Sequence, residues 1–293
     1  MPAVPFEYHG PATLDEAIGL LARYGERAKA LAGGQSLVPL LTLRLARPEV
    51  VVDLNGIQEL RVVRRDGDDL FIGALVRHRA LERGEGALAA CAILREAAAL
   101  IGNVRVRTLG TIGGSLAHAD PAAELPAVVR ALDGTLVVRG AAGERAIPAH
   151  EFFIGALTTA LAPDEVIVGI RLPVLGPGVG YAVTEFTRRA GDFAIVAAVA
   201  VVEVRPAGEI ARARVALAGV GSTPIRLPGV EAALRSERPD PRTLRRAAEG
   251  AAREIEPEGD AHASAAYRRH LARVLTARAL ERATAAAADG RPA

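Results

Sequence analysis

Two glycine pairs carry the chemistry most legible in this sequence: Ala32-Gly33-Gly34-Gln35-Ser36 and Thr111-Ile112-Gly113-Gly114-Ser115. Glycine has no Cβ to block a ligand or forbid positive φ, so consecutive glycines let successive backbone N–H groups converge on one point. Ser36, Thr111 and Ser115 set hydroxyls beside those pairs. One such loop could hold a phosphate. Two, far apart in sequence, could close on both sides of a pyrophosphate, which makes a dinucleotide the implied ligand class. Neither pair is specific alone. The first lacks the lysine of a P-loop, the second lacks the spacing of a Rossmann fingerprint, and a turn that merely needs glycine explains either one.

Other reactive residue types are sparse. Cys91 is the single cysteine, which leaves no disulfide framework, no thiolate iron–sulfur site and no Cys-rich zinc site. It falls in Ala-Ala-Cys-Ala-Ile-Leu, the buried face of an expected helix. His118, between Ala117 and Ala119, has no identifiable partner carboxylate and reads as a hydrogen-bonded spacer. No catalytic residue and no metal ligand set is expected.

Composition narrows the class. With 293 residues, half of them hydrophobic, the chain can bury a sizeable core in two or three compact units. A net charge of +2 with scattered arginines gives no nucleic-acid stripe. The opening Met1–Glu7 segment shows no basic patch followed by an apolar run, so no signal peptide is expected. The longest apolar run, Phe193–Val202, is about half of the ~20 residues a membrane helix needs. A soluble, cytoplasmic chain without a membrane span is the expectation.

The elements that must position the glycines read as follows. Thr13 and Glu16 form a capping box before a helix with Leu14, Ala17, Ile18 and Leu21 on one face, stopped by Gly25. A strand Ala28–Leu31 runs into the first glycine loop, Ser36 can cap the next helix, and Val50–Leu54 is a second strand. A hairpin through Asp66-Gly67-Asp68 and a helix over 87–101 follow, then the second glycine loop. Asp120-Pro121 is expected to open a helix through Val129, followed by strands at 136–139 and 167–172. A Pro/Gly cluster over 173–180 marks a boundary. Beyond it come strands at 180–188, 193–205 and 212–220, then helices at 241–254 and 264–287, with residues 289–293 frayed. The divisions predicted are 1–57 and 58–175, two α/β subdomains, and 176–293, an antiparallel sheet plus helices.

The longer string from Ile101 to Pro126, taken with Ala-Gly-Gly-x-Ser-Leu-x-Pro-Leu at 32–40, resembles a known family. The pieces are Thr-Ile-Gly-Gly-x-x-Ala at 111–117 and Ala-Asp-Pro-x-x-Glu-Leu-Pro at 119–126, with echoes in Val-Asp-Leu at 52–54 and Arg-x-x-Gly-Asp-Phe-Ala at 188–194. They resemble the FAD-binding middle subunit of molybdenum hydroxylases, of the carbon monoxide dehydrogenase medium-chain and xanthine dehydrogenase flavin-domain type. The resemblance spans nearly the whole chain and is silent on substrate.

The resemblance implies an α+β, vanillyl-alcohol-oxidase-like FAD-binding fold (the PCMH type). It implies non-covalent FAD held by Ala32, Gly33, Gly34, Gln35, Ser36 and Leu37 from one side, and by Thr111, Gly113, Gly114, Ser115 and Ala117 from the other. Glu124 would lie on the ribose side, although a helix-capping charge explains it too. Asp120 reads as a helix N-cap. Phe193 would approach the isoalloxazine, where relatives often carry Tyr; by itself it reads as core packing. Gln35 and Ser115 replace a histidine and an asparagine of relatives, Arg105 replaces a glutamine, and Arg107 keeps a basic residue for ligand or interface. The implied function is electron transfer. A large molybdopterin subunit oxidises substrate, a small subunit carries two [2Fe-2S] clusters, and the flavin chain serves an acceptor such as quinone or NAD. Two alternatives stay open: a free-standing flavin oxidoreductase of the same fold, and a non-redox assembly or binding module.

Overall fold

The computed structural model describes residues 4–288; the 289–293 tail expected to fray lies outside them. The chain lays down three main sheets in succession. The first unit comprises β1 (Glu7–His9), α1 (Leu14–Tyr24), β2 (Ala28–Leu31), α2 (Leu37–Thr42) and β3 (Val50–Asp53). Its strands are parallel in the order β1-β3-β2. The capping box forms as the spacing dictates: Thr13 Oγ1 accepts the Glu16 N–H at 3.2 Å, and Glu16 Oε2 accepts the Ala12 N–H at 2.9 Å and the Thr13 N–H at 3.4 Å. Leu14, Ala17, Ile18 and Leu21 are the buried face of α1.

The second unit contains β4 (Val63–Asp66), β5 (Asp69–Gly73), α3 (His78–Arg83), α4 (Ile93–Leu100), α5 (Val104–Leu109), α6 (Ile112–His118) and α7 (Glu124–Ala131). It continues through β6 (Thr135–Gly140), β7 (Gly143–Pro148), α8 (Ala149–Phe152), β8 (Phe153–Gly155), β9 (Thr158–Thr159) and β10 (Val166–Pro173). Its antiparallel sheet runs β4-β5-β10-β6-β7, and β8 and β9 pair as a separate two-stranded ribbon. The third unit has β11 (Val179–Phe186), β12 (Val196–Val204), β13 (Ile210–Ala218) and β14 (Ile225–Arg226), an antiparallel meander covered by α9 (Pro228–Leu234), α10 (Pro241–Ala248) and α11 (Ala265–Ala288).

The helices α4 and α7 are clamped between the second and third sheets in one apolar cluster that joins Leu94, Val128 and Leu136 to Val199 and Ala216. The opposite face of the third sheet packs on α9–α11. Both faces of β12 are therefore covered, which is why its sequence from Val196 to Val202 is an unbroken run of small apolar residues rather than an alternation.

Several expectations change. The helix foreseen over 87–101 is a 3₁₀ segment, Gly86–Cys91, followed by α4; Leu88, Cys91, Leu94 and Ala98 are buried as the spacing requires. The helix expected from Asp120-Pro121 starts only at Glu124, because the Asp120 carboxylate caps a local turn by accepting the Ala122 N–H at 2.9 Å. Ser36 sits at the head of α2 but makes no capping bond, since its own backbone is already helical (φ −103°, ψ −49°) and aims the hydroxyl elsewhere. The strand expected from Phe193 begins at Val196.

Candidate functional site

The first glycine pair forms a true loop between β2 and α2. Gly34 has φ +70°, a backbone region that other residues enter only with strain. The carbonyls of the segment are bonded: Ala32 accepts the Asn55 side-chain amide at 2.7 Å, Gly33 accepts Gln35 Nε2 at 3.0 Å, and Gly34 accepts the Val38 N–H at 3.0 Å. Its amides are not. Among the described residues no acceptor meets the N–H groups of Gly33, Gly34, Gln35 or Ser36. Four consecutive amides without an acceptor on a largely half-buried loop are the kind of donor set that an anion can satisfy.

The second pair behaves differently, and here the expectation of a second loop is corrected. Thr111 caps α6, accepting the Gly114 N–H at 3.1 Å on Oγ1, and both glycines sit in the first turn of that helix. The Ile112 and Gly113 amides donate to Val76 and Ala74 carbonyls at 3.0 and 2.9 Å. The amides of 112–114 are thus spent on protein. Glycine is needed for close packing instead: a Cβ on Gly113 would lie 2.5 Å from Ala74 Cβ. A preceding helix, α5, was hidden in the sequence; Asn103 Oδ1 caps it by accepting the Arg105 and Val106 N–H groups at 2.9 and 3.3 Å.

The fold nevertheless brings the two segments into contact, as a shared site requires. A Cβ on Gly33 would lie 2.3 Å from Leu109 O and 2.7 Å from Gly110 Cα, and one on Gly114 would lie 3.7 Å from Ala32 Cβ. Beside this seam opens a cavity of about 340 Å³. Leu31, Val38 and Leu109 line it together with Ala32, Gly33 and Gly34, and Asn55 and Arg77 add polar groups. Leu37 and Ser115 are half-buried near these segments, and Gln35 and Ala117 are exposed.

Phe193 is 60% exposed on the loop between β11 and β12, so the core-packing reading of it is overturned. That loop folds back on the chain before α5: a Cβ on Gly191 would lie 3.0 Å from Gly102 O. Arg107 braces the same turn, donating to the Ile101 and Gly102 carbonyls at 2.9 and 3.1 Å and pairing with Glu82 at 2.9 Å. Its charge is thereby committed within the chain.

Glu124, the first residue of α7, is 4% exposed. Burial, with Glu185 and Asp120 nearby, pushes its carboxyl up to about 8. Burial likewise pushes Glu185 up to about 7, and Glu185 Oε2 is buried without a hydrogen-bond partner. The structure therefore groups Glu124 with two other carboxylates, Glu185 and Asp120. His118 ends α6 and, among the described residues, makes none of the hydrogen bonds expected of a spacer.

Three neighbours of the seam escaped sequence reasoning: Asn55, Arg77 and His78. His78 is 6% exposed; burial, reinforced by Arg77 and Arg107 and opposed by the Thr111 backbone, holds its pKa down to about 4. It packs under Gly110, where a Cβ would lie 2.8 Å from its Nδ1. No motif marks these residues; only the adjacency of Asn55 to the strand-ending Val-Asp-Leu was available.

Comparison with known proteins agrees with this geometry. A family described as the FAD binding domain in molybdopterin dehydrogenase matches residues 4–175, and the CO dehydrogenase flavoprotein C-terminal domain matches residues 181–283. The chain is 40% identical to the 6-hydroxypseudooxynicotine dehydrogenase complex subunit alpha of Paenarthrobacter nicotinovorans, over 95% of this chain and 94% of that one. It is 38% identical to the carbon monoxide dehydrogenase medium chain of Hydrogenophaga pseudoflava, over 96% and 97% respectively. Its fold superposes on the solved carbon monoxide dehydrogenase of that organism with a TM-score of 0.94 at 38% identity, covering 97% of this chain and 99% of the other. Against quinoline 2-oxidoreductase from Pseudomonas putida 86 the TM-score is 0.93 at 35% identity, covering 98% and 99%. The amide-lined glycine loop, the three-sheet architecture and these similarities agree: the chain belongs to the FAD-binding medium subunits of the molybdenum hydroxylase family, which are oxidoreductase components.

Proposed function

We propose that this chain carries non-covalent FAD as the electron-transfer subunit of a multi-subunit molybdenum hydroxylase. The observation that carries the reading is the row of unpaired amides at Gly33–Ser36 pressed against the Leu109–Gly114 segment. Its donor set suits a diphosphate. Ala32 to Leu37 would hold the diphosphate, with the Thr111 and Ser115 hydroxyls and the Gly113, Gly114 and Ala117 segment opposite. Glu124 would accept from ribose hydroxyls once it is ionised. The exposed ring of Phe193 would cover the isoalloxazine. FAD, when bound, supplies the exchange between one-electron and two-electron carriers.

The chain's own task is to hold, orient and partly cover that group. With a single cysteine it supplies no thiolate set for a cluster. We therefore place the [2Fe-2S] clusters on a small partner subunit and molybdopterin on a large one, with quinone or NAD as the external acceptor. Relatives named as a medium chain or as a subunit of a dehydrogenase complex support that division. Cytoplasmic operation goes with it; among the described residues no helix is long and apolar enough to cross a membrane. We also propose domain limits at 57/58 and 175/176, supported by each sheet closing within its own segment.

The test is the visible absorption spectrum of the purified chain before and after addition of FAD, followed by gel filtration, alone and with co-expressed partner subunits. Flavin bands that travel with the protein are expected. A colourless protein in the assembled complex would overturn the reading in favour of a module without flavin.

A further inference from the structure

We propose that Arg77 is the positioning residue and fixed counter-charge of the diphosphate cradle, acting through Asn55 on one glycine segment and directly on the other. The inference rests on the flavin-dinucleotide reading above. Arg77 Nη2 donates to Asn55 Oδ1 at 2.6 Å, Asn55 Nδ2 donates to the Ala32 carbonyl at 2.7 Å, and Arg77 Nη1 donates to the Leu109 carbonyl. One guanidinium thus spans the seam from Ala32 to Leu109. These two ends flank the contact where Gly33 meets Leu109 O most closely. A planar fork can make both bonds at once, and a lysine ammonium cannot reproduce that span.

The partners of this guanidinium are all neutral. Among the described residues no carboxylate comes within ion-pair distance of it. The nearby Asp53 makes its hydrogen bonds to other groups, Oδ1 accepting the Asn55 N–H and Nδ2 groups at 2.9 and 2.6 Å and Oδ2 the Tyr8 hydroxyl at 2.7 Å, and it acts on Arg77 through its charge alone. Arg61 adds a second cation, bonded to the Asn55 carbonyl at 2.7 Å; burial and then Arg61 lower the Arg77 pKa, and Asp53 opposes them. Two cations, the half-buried Arg77 and the exposed Arg61, stand against one nearby carboxylate, Asp53, and Arg77 lines the same cavity as Ala32, Gly33 and Gly34; a diphosphate there would balance the excess positive charge.

The experiment titrates FAD into the flavin-free full chain, following flavin fluorescence at low and moderate salt, for the parent, R77Q, R77K, N55A and R77K/N55A. Melting temperatures of the flavin-free proteins are measured alongside. R77Q is expected to bind FAD at least tenfold more weakly and with a flatter salt dependence, because one phosphate-facing charge is gone. R77K and N55A keep the charge and break the tie, so they bind more weakly with the parent's salt slope. R77K/N55A is no weaker than R77K, because both substitutions break one connection. R77Q binding within twofold of the parent at an unchanged salt slope would overturn the inference, as would affinity losses that merely track a falling melting temperature in all variants. A parent chain that binds no FAD at all overturns the flavin reading itself, and this inference with it.

Discussion

Replacing Gly33 with alanine should separate the two glycine segments. The added Cβ would lie 2.3 Å from Leu109 O, about 1.1 Å short of the 3.4 Å at which ordinary contact begins. The obstacle is backbone, and it is held: Leu109 O accepts from Arg77, and the neighbouring Gly110 carbonyl accepts the His78 N–H at 3.0 Å. No side-chain rotation relieves the clash, so overpacking should cost about 1–3 kcal/mol. At roughly 2–4 °C per kcal/mol the melting temperature should fall by several degrees. A shift of about 1 Å stretches a ~2.9 Å amide–phosphate bond beyond hydrogen-bonding range. Losing two such charge-assisted bonds, each about 1.5–3 kcal/mol, weakens FAD at least a hundredfold. Differential scanning fluorimetry and the flavin-to-protein ratio after gel filtration measure both effects. Gly67→Ala is the control. Gly67 has φ +66° in the β4–β5 turn with open space around it, so it should cost about 1 kcal/mol and leave flavin content unchanged. A Gly33→Ala chain with full flavin and the parent melting temperature would refute the packing argument.

Three further outcomes are expected. His78 is held at about 4, below its ordinary value of roughly 6.5, so the unfolded chain takes up that proton first. Stability from this site is complete above pH ~6.5 and is lost towards pH 4, by up to about 3 kcal/mol; urea midpoints across that range should slope in the parent and flatten in His78→Leu, and equal slopes would contradict it. Glu124 has the opposite sign: its carboxyl is raised to about 8, so its contribution is present below pH ~4.5 and lost as pH rises through 8. Glu124→Gln should therefore stabilise the flavin-free chain at pH 8.5 and leave a residual slope from Glu185; a destabilised variant at that pH would count against a neutral buried carboxyl. Phe193→Ala removes an exposed ring, so the melting temperature should move by less than about 0.5 kcal/mol equivalent while the flavin absorption envelope shifts. An unshifted spectrum in the flavin-loaded protein would remove Phe193 from the site.

Much of the fold was written locally. The Thr13–Glu16 capping box, the face of Leu14, Ala17, Ile18 and Leu21, and the doubly covered strand β12 each depend on neighbours within a few residues, and each appears in the structure near its predicted bounds. The glycine strings were equally visible, and with Glu124 they marked the family. What a glycine does, however, is decided by what approaches it. Gly34 supplies a positive φ and bares a row of amides, whereas Gly113 lets a helix close on Ala74 and has its own amide bonded. The two are indistinguishable in one dimension.

The tie from Arg77 through Asn55 to Ala32 was invisible for the same reason. It joins a loop near residue 32, the end of β3 and the segment after β5, and nothing in their spacing says they will meet. The ionisation of Glu124 and His78 likewise depends on burial by sheets and helices distant in sequence. The sequence by itself determined many of the elements, the family and the two glycine segments, because propensities, caps and motifs act over a turn or two of chain. Only the tertiary structure decided which amides remain free, which charges lie together and which ring is exposed, because those properties belong to contacts between segments that the chain brings together only when it packs.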